Sequence, residues 1–567
     1  MSSENELKIT KDLDESIVDE LLDDDIDEYY SDIISHSNVH DRFQFESKFD
    51  FDLNLDKNNE KNKKYYVDFY FFIPKSIGIN SETYTRDNFY SDLTNYLRIR
   101  TPEVFNLESK EINNWSLYWS DKYFKISFST QKRLKLSQIV IYEVKLFGCF
   151  INTQLKKLQN LFYNLFEKER TELYIQRRLK YIETRLDSLE QIILKYREKY
   201  TKVINENQIL IEDDVKKSFI IVDEFISYRL EFILVKVLQV LRKNSQDKSK
   251  VSLHIKEILK KEIEYRISVN FINFEGHQDN SLPEMYYYRM GLLKKYVLGV
   301  LYLQSEIIKK EKIYRNLIAA TGAALAASWA VMTDIQRINL VNNTKEAGIR
   351  LLLIFFIGIS AYVFKDRIKE LSKEYFNQKL KKYIPDLEKK IFYDYFDKEG
   401  QIKKKLIAIS NEFMRYLNKE NIPEDILYIR DLGARKDIDP ERNDIVINYS
   451  KRMLFDSECL KDSENKINFI RDISRFAIND FLDKLDDPDK ILRYFDSKKG
   501  VVVMEAPKVY HINVIMKYKI EHEKLNKEKL SEIEYERIRI VLNKRGIVRI
   551  EKVISRGEIK YVENKTS

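Results

Sequence analysis

The sequence predicts an α+β multidomain membrane protein with a long helical bundle or coiled coil, a two-helix transmembrane hairpin, and small β-containing cytoplasmic domains flanking them. Three observations predict this fold class. Two long apolar runs lie close together in mid-chain, residues 149–275 before them contain neither glycine nor proline, and aromatic or β-branched segments occur towards both ends. Each of these patterns is typical of a different kind of element.

The chain begins with a strongly acidic segment. Residues 1–60 hold 19 Asp and Glu against 5 Lys and Arg, whereas the whole chain has a net charge of +7. Such a composition predicts a disordered tail, either a solvated one or an acidic tether that docks on the basic body. His36 and His40 have i,i+4 spacing, but because they fall in this tail we expect no metal site there.

A small α+β domain is predicted over residues 62–140. Residues 65–73 have the aromatic and β-branched composition of a buried strand, which ends at Pro74. Residues 115–128 contain two aromatic segments on either side of Ser120, Asp121 and Lys122, and this pattern predicts a β-hairpin.

Residues 149–315 are predicted to form long helices, because helix-breaking residues are absent from most of this region. Apolar residues recur every three or four positions, as in the stripe Phe225, Ile226, Leu230, Ile233, Leu234 and Val237. The pattern predicts a bundle or an antiparallel coiled coil. We expect self-association or protein partners to use this region.

The transmembrane hairpin is predicted over residues 316–364, with helices at 316–333 and 348–364. At 1.5 Å per residue these helices are roughly 25–27 Å long, close to the ~30 Å hydrocarbon thickness of a bilayer. Gly322, Ala326 and Ala330 fall four residues apart, which would allow close packing against a helix carrying Gly358. The alternative is a soluble helical hairpin buried in a large core.

The distribution of basic residues predicts the orientation of this hairpin. Lys and Arg are denser in residues 301–315 and 365–379 than in the connecting loop, so the positive-inside rule places both termini in the cytoplasm. We therefore expect an integral protein of the inner or plasma membrane, with the lipid bilayer as a partner. Two cysteines, Cys149 and Cys459, fit a reducing compartment.

Two further regions follow the hairpin. Residues 365–398 are predicted to form a charged juxtamembrane helix interrupted at Pro385, and residues 399–567 a mixed α/β domain. Alternating residues in 537–542 and 547–553, joined by a turn with Gly546, predict a C-terminal β-hairpin.

A loop in this last domain is the candidate functional surface. Basic side chains interleave there with aspartates, and arginine clusters can bind phosphate or carboxylate groups. The candidate residues for an anion or a partner are Arg430, Arg435, Lys436 and Arg442. The alternative is an ion-paired surface turn that begins at Asp439 and Pro440.

No motif of known catalytic or cofactor chemistry occurs in the chain. The sequence contains no GxGxxG, P-loop, GxSxG or HExxH pattern, so we predict no catalytic residues, cofactor or metal. The leading hypothesis is a membrane-anchored cytoplasmic scaffold, sensor or regulatory protein. The alternatives are a membrane-tethered enzyme acting on phosphate-bearing substrates around Arg435 and Asp437, and, least favoured, a nucleic-acid binder.

Overall fold

The computed structural model describes residues 36–52, 62–101, 117–125, 130–167, 171–201, 211–247, 249–272, 274, 281–308, 311–343, 347–380, 384–396, 401–432, 444–456, 469–488, 490–523, 529–554 and 560–562. Within these ranges the chain has an α+β fold with large antiparallel sheets.

The strands are numbered in chain order. They are β1 (His36–Asp41), β2 (Gln44–Asp52), β3 (Asn62–Pro74), β4 (Leu93–Ile99), β5 (Gln304–Ile308), β6 (Leu387–Phe396), β7 (Ile402–Leu417), β8 (Asp444–Asp456), β9 (Phe469–Ala477), β10 (Ile491–Asp496), β11 (Gly500–Glu505), β12 (Tyr510–Glu523), β13 (Lys529–Asn543), β14 (Gly546–Ile554) and β15 (Lys560–Val562).

The α-helices are numbered in the same way. They are α1 (Arg86–Asp92), α2 (Tyr118–Lys125), α3 (Thr130–Glu167), α4 (Glu172–Tyr196), α5 (Asp213–Lys243), α6 (Lys250–Ser268), α7 (Leu282–Leu298), α8 (Glu311–Asn343), α9 (Ala347–Leu380), α10 (Glu424–Asp431) and α11 (Asn479–Leu482).

The larger sheet combines strands from both halves of the chain. Its order is β14-β13-β12-β3-β8-β7-β6-β5, with β15 paired to β13, and neighbouring strands are antiparallel. The N-terminal strand β3 lies between β12 and β8, so the two halves share one sheet. The prediction of small, separate β-containing domains on either side of the helices is therefore wrong. Periodicity identifies a strand, but it does not identify the strand's partners.

A four-stranded sheet of order β1-β2-β9-β4 packs on one face of the larger sheet. The ring of Phe49 in β2 stacks on Tyr518 in β12 with 4.5 Å between centroids, and Phe51 meets Tyr65 in β3 edge-on at 4.5 Å. These contacts arise because alternate residues of each strand point to the same face. The two sheets form a sandwich with an aromatic core.

One ion pair is buried between these sheets. The Lys451 amine in β8 lies 2.7 and 2.8 Å from the two carboxylate oxygens of Asp472 in β9, and both side chains are almost fully buried. Two charges removed from water stabilise a fold only when each satisfies the other. The pair therefore couples the position of β8 to that of β9.

The helices α3 to α7 form a bundle within the chain. The apolar stripe from Phe225 to Val237 in α5 is buried inside it. At its centre, Arg197 donates to Asp223 of α5 (Nε to Oδ1, 2.9 Å) and to both carboxylate oxygens of Glu262 of α6 (2.9 and 2.8 Å). Burial opposes ionisation of Glu262, but the Arg197 guanidinium brings the pKa of that carboxyl below its usual range. Arg197 directly follows α4, so this network links the end of α4 to α5 and α6.

The predicted acidic tail covers residues 1–60, but residues 36–52 form the strands β1 and β2. Phe45, Phe49 and Phe51 enter the core from one face of β2. Two acidic residues of β2 pair with arginines of β9: Glu46 accepts from Arg475 at 2.5 Å and Asp50 from Arg471 at 2.7 Å. The acidity thus complements a basic strand. Residues 1–35, including the rest of the predicted tail, lie outside the described residues.

Two other local predictions are wrong. The hairpin predicted at 115–128 is replaced by the helix α2, whose backbone N–H groups at Trp119 and Ser120 donate to the Glu143 carboxylate at 3.0 and 2.8 Å. The charged helix predicted over 365–398 ends at Leu380, and β6 follows Pro385. Within β6, Ile391 and Tyr393 are buried two residues apart, as in a strand with one covered face.

The helices α8 and α9 form an antiparallel pair, here called the arm. The strands β5 and β6, which precede and follow the arm in the chain, pair with each other and close its base. Gly322 lies against α9: a Cβ placed on it would be 3.4 Å from the Lys369 carbonyl oxygen. The ring centroids of Trp329 and Phe364 are 6.1 Å apart. These two contacts set the register of the helices.

The register explains why a two-helix transmembrane hairpin is not supported. Residues 316–327 of α8 lie beside the charged stretch 365–376 of α9, and the apolar stretch 351–364 of α9 lies beside residues of α8 that include Asp334 and Arg337. If one apolar run lay in the hydrocarbon core, charged residues of the other helix would therefore lie at the same depth. Burying those charges in the core has a high free-energy cost. Among the described helices, one stretch, Asn316–Asn339, is long and apolar enough to cross a membrane, and that alone is weak evidence.

We predict that the Lys451–Asp472 pair is the more costly of two ion pairs to break. Lys451→Met leaves the Asp472 carboxylate buried without its partner and should lower the unfolding free energy by ~3–5 kcal/mol. Lys517→Met, which removes a partly exposed pair with Asp425, should cost only ~0–1 kcal/mol. Midpoints of urea unfolding measure both effects, and the double variant Lys451→Met/Asp472→Leu should recover most of the loss. Equal shifts for the two single variants would contradict this ranking.

Candidate functional site

A cavity of about 720 Å³ lies where the bundle meets the edge of the larger sheet. Its walls come from α3, from the end of α7 with the turn after it, and from β6 and β7. The volume falls in the range of small-molecule sites. Part of its lining, Gln304, belongs to β5 and thus to the base of the arm.

Helical and strand periodicity place the lining side chains. Gln138, Ile141, Tyr142 and Lys145 recur every three or four residues on α3, so they share one helix face. In β6, residues 392, 394 and 396 alternate towards the cavity. The lining is mostly apolar and aromatic, with a few polar groups that can orient a ligand.

Lys145 supplies a partly buried amine. Its Nζ lies 3.8 Å from the centroid of the Tyr296 ring, a cation–π contact. Burial lowers the pKa of this amine, because removing it from water disfavours the charged form. An anionic group of a ligand would restore the lost solvation of the ammonium.

Asp394 supplies an acceptor in another part of the cavity wall. Its Oδ2 accepts a hydrogen bond from Nε2 of Gln304 at 2.7 Å, while its Oδ1 is buried and has no hydrogen-bond partner among the described residues. Burial raises the pKa of this carboxyl, and Lys404 partly opposes that shift. A ligand that donates a hydrogen bond would satisfy the buried oxygen.

The arrangement suits binding of an amphipathic molecule that has an apolar body, an anionic group and a hydrogen-bond donor. Among the described residues that line the cavity there is no Ser, Cys or His to serve as a nucleophile beside a base. The lining offers two titratable groups, Lys145 and Asp394, whose pKa values are moved towards neutrality.

The surface predicted around residues 430–442 is described only in part. Arg430, near the end of α10, donates to Oδ2 of Asp444 at 2.8 Å, and its guanidinium carbon lies 5.3 Å from the centroid of the Phe72 ring. With that side chain 12% exposed, Arg430 acts within the fold. The other candidates, Arg435, Lys436 and Arg442, lie outside the described residues, as does Asp437.

The residues predicted to pack the hairpin lie in the arm. Gly322 and Ala326 are buried against α9, and Ala330 is half-buried on the same face of α8. Gly358 does not meet them: no described atom of α8 lies within 4 Å of the position that a Cβ on Gly358 would take. The level of Gly358 is closer to Asp334 than to Gly322, as the register requires.

Sequence reasoning missed the cavity, although one signal for it was present. The stretch 139–151 is apolar except for Glu143, Lys145 and a few small residues, and charges in such a stretch are candidates for buried roles. Glu143 binds the start of α2, and Lys145 lines the cavity. Asp394 and Gln304 carry no comparable signal, since only the pairing of β5 with β6 brings them together.

Comparisons with protein-family models, with curated proteins and with solved structures found no match to this chain. The geometry of the cavity and of the arm therefore carries the functional assignment.

We predict that Asp394 makes the fold less stable at neutral pH. A raised pKa in the folded state means that stability falls as pH rises above the ordinary Asp value, because the folded chain must then hold a desolvated carboxylate. Asp394→Asn removes this penalty and still accepts from Gln304. Its melting temperature should exceed that of the wild type at pH 7, and the difference should shrink towards pH 4.

Asp496→Asn is the matched control, measured by the same thermal melts. Backbone N–H groups of Lys498 and Lys499 lower the pKa of Asp496, so this variant should be less stable than the wild type at pH 7. The same sign of change for both variants would contradict the burial of Asp394.

Proposed function

We propose that this protein is a membrane-attached sensor or scaffold whose arm binds one leaflet of a bilayer. The observation that supports this most is the exposed apolar segment 351–364 of α9, here called the apolar segment. It is the longest exposed apolar stretch of α9, and it lies far from the sheet sandwich along the arm.

The apolar segment presents large side chains to solvent: Leu351, Leu352, Phe355, Phe356, Ile359, Tyr362, Val363 and Phe364. Soluble monomers rarely expose contiguous apolar patches of this kind. Burying one Phe or Leu side chain is worth ~1.5–3 kcal/mol, so several together would hold the arm on a lipid surface.

The dimensions of the apolar segment argue against a crossing of the bilayer. Fourteen helical residues extend over ~21 Å, short of the ~30 Å hydrocarbon core. Beyond the segment, Lys365, Arg367, Lys369 and Lys373 follow in α9, where they can meet anionic headgroups. The arm would lie along the membrane surface with α9 towards the acyl chains, so that Asp334 and Arg337 of α8, which lie at the level of the segment along the arm, remain in the interface.

The strand pair at the base of the arm determines the topology of this attachment. Because β5 and β6 are neighbours in one sheet, the chain must enter and leave the arm on the same side of the bilayer. We infer that the sheets and the bundle lie on the cytoplasmic side, where anionic lipid is concentrated.

The cavity supports the sensor role. Gln304 is the first residue of β5. Its side-chain hydrogen bond to Asp394 of β6 belongs both to the cavity wall and to the base of the arm. A ligand that competes for Asp394 would act on the strand pair from which the arm extends. Ligand binding and membrane attachment would then be linked by a shared contact.

Other roles remain proposals of lower rank. Protein partners could bind the bundle through exposed apolar residues such as Leu253 and Tyr288. Phosphate chemistry around Arg435 and Asp437 has no support in the described residues. Self-association through the apolar segment is the main competitor of lipid binding and is an outcome of the test below.

We predict that Phe356→Asn lowers the vesicle partition coefficient of the full chain about tenfold, since one buried Phe is worth ~1.5–3 kcal/mol. The measurement is co-flotation with vesicles of phosphatidylcholine and phosphatidylglycerol. The matched control is Leu371→Asn on the same helix, because Phe356 and Leu371 are equally exposed at 63%. The control should change the coefficient less than twofold.

Two results would contradict the proposal. Equal losses for Phe356→Asn and Leu371→Asn would show that the level along the arm is irrelevant. A wild-type chain that ignores vesicles but forms oligomers, which Phe356→Asn dissociates in light scattering, would assign the apolar segment to a second copy of the chain.

A further inference from the structure

Two helices of the bundle bring three potential metal ligands together. Asp187 and Glu190 lie three residues apart on α4 and so share a face, and His254 lies on α6 opposite them. One ligand atom from each residue falls within 4.8 Å of the others. A His nitrogen with two carboxylate oxygens is a ligand set that suits Zn²⁺ and related divalent ions.

The distances favour a shared ion over direct hydrogen bonds. Nε2 of His254 lies 3.4 Å from Oδ1 of Asp187 and 3.5 Å from Oε2 of Glu190, both longer than a good hydrogen bond of ~2.7–3.2 Å. Two ligands bound to Zn²⁺ at ~2.0–2.1 Å with tetrahedral geometry are ~3.3 Å apart. The two separations from His254 are close to that value, and the Asp187 and Glu190 ligand atoms lie within 4.8 Å of each other.

Burial at the cluster leaves one side open. The side chains of His254 and Glu190 are each 20% exposed, whereas Asp187 is 50% exposed and faces solvent. An ion can therefore enter beside Asp187, and water can complete its coordination. Fixed ligands on two packed helices need little reorganisation to bind it.

One nearby cation competes for the same carboxylate. The Lys261 amine lies 3.5 Å from Oε1 of Glu190 and 3.2 Å from Oε1 of Glu257. Lys261 therefore partly neutralises Glu190 when no ion is bound. Removing this amine would make the Glu190 carboxylate more available to a metal ion and so raise the metal affinity. A cluster of ion pairs that binds no metal would show no such rise.

We propose that Asp187, Glu190 and His254 form a divalent transition-metal site, best suited to Zn²⁺, that links α4 to α6. Further along, Arg197, which directly follows α4, is joined to Glu262 of α6. A metal bound to the folded chain stabilises it in proportion to the logarithm of its concentration. The site thus offers metal-dependent control of bundle stability, independent of membrane binding.

The test is calorimetric titration of the untagged full chain with Zn²⁺ alone, together with its melting temperature with and without Zn²⁺. We expect His254→Gln to weaken one binding event at least tenfold and to abolish the Zn²⁺-induced rise in melting temperature. His511→Gln, which removes a histidine far along the chain in β12, should leave both unchanged. Lys261→Met should bind Zn²⁺ more tightly than the wild type.

The proposal fails if His254→Gln and His511→Gln bind Zn²⁺ equally. It also fails if Lys261→Met leaves the affinity unchanged or lowers it, because the cluster would then be a set of surface ion pairs that Zn²⁺ does not enter.

Discussion

The pairing of β5 with β6 is the constraint on which the other features depend. Five residues, Gln304 to Ile308, pair antiparallel with Phe392 to Glu388, and the whole arm lies between these strands in the chain. The pair makes the arm an insertion in a sheet edge rather than a linker between domains. It also places Gln304 beside Asp394, and so completes the cavity wall.

Buried ion pairs also constrain how the strands and helices pack. Lys451 and Asp472 join the two sheets, and Arg197 joins three helices through Asp223 and Glu262. Such groups gain little net stability over apolar packing, but leaving either partner alone is costly. They therefore penalise displaced strands and helices more than apolar contacts would. The ring of Tyr265, 3.7 Å from the Arg197 guanidinium carbon, packs against the same network.

Local elements could be predicted from the sequence more fully than their partners. Strand β3 ends at Pro74 as expected, the turn at 543–546 joins β13 and β14, and the described part of the glycine-free region is mostly helical. The predictions failed where a contact distant in sequence determines the local structure: Glu143 stabilises α2 as a helix, and arginines of β9 bring the acidic β2 into a sheet.

For the arm, composition identified both apolar runs but not their offset, which depends on the register of Gly322 and Trp329 against α9. Residues of the cavity and of the Asp187–Glu190–His254 cluster come from separate elements, so their spacing in sequence carries no signal.

Depth measurements on the arm test the proposed attachment most directly. Single cysteines at Phe356, Asp334 and Leu371 would carry an environment-sensitive fluorophore, and lipids brominated at known depths would quench it in vesicles. If the arm lies along the membrane surface with the apolar segment in one leaflet, position 356 is quenched by acyl-chain bromines, whereas positions 334 and 371 respond only near the headgroups. Equal, deep quenching at 356 and 334, or no quenching at 356, would contradict this arrangement.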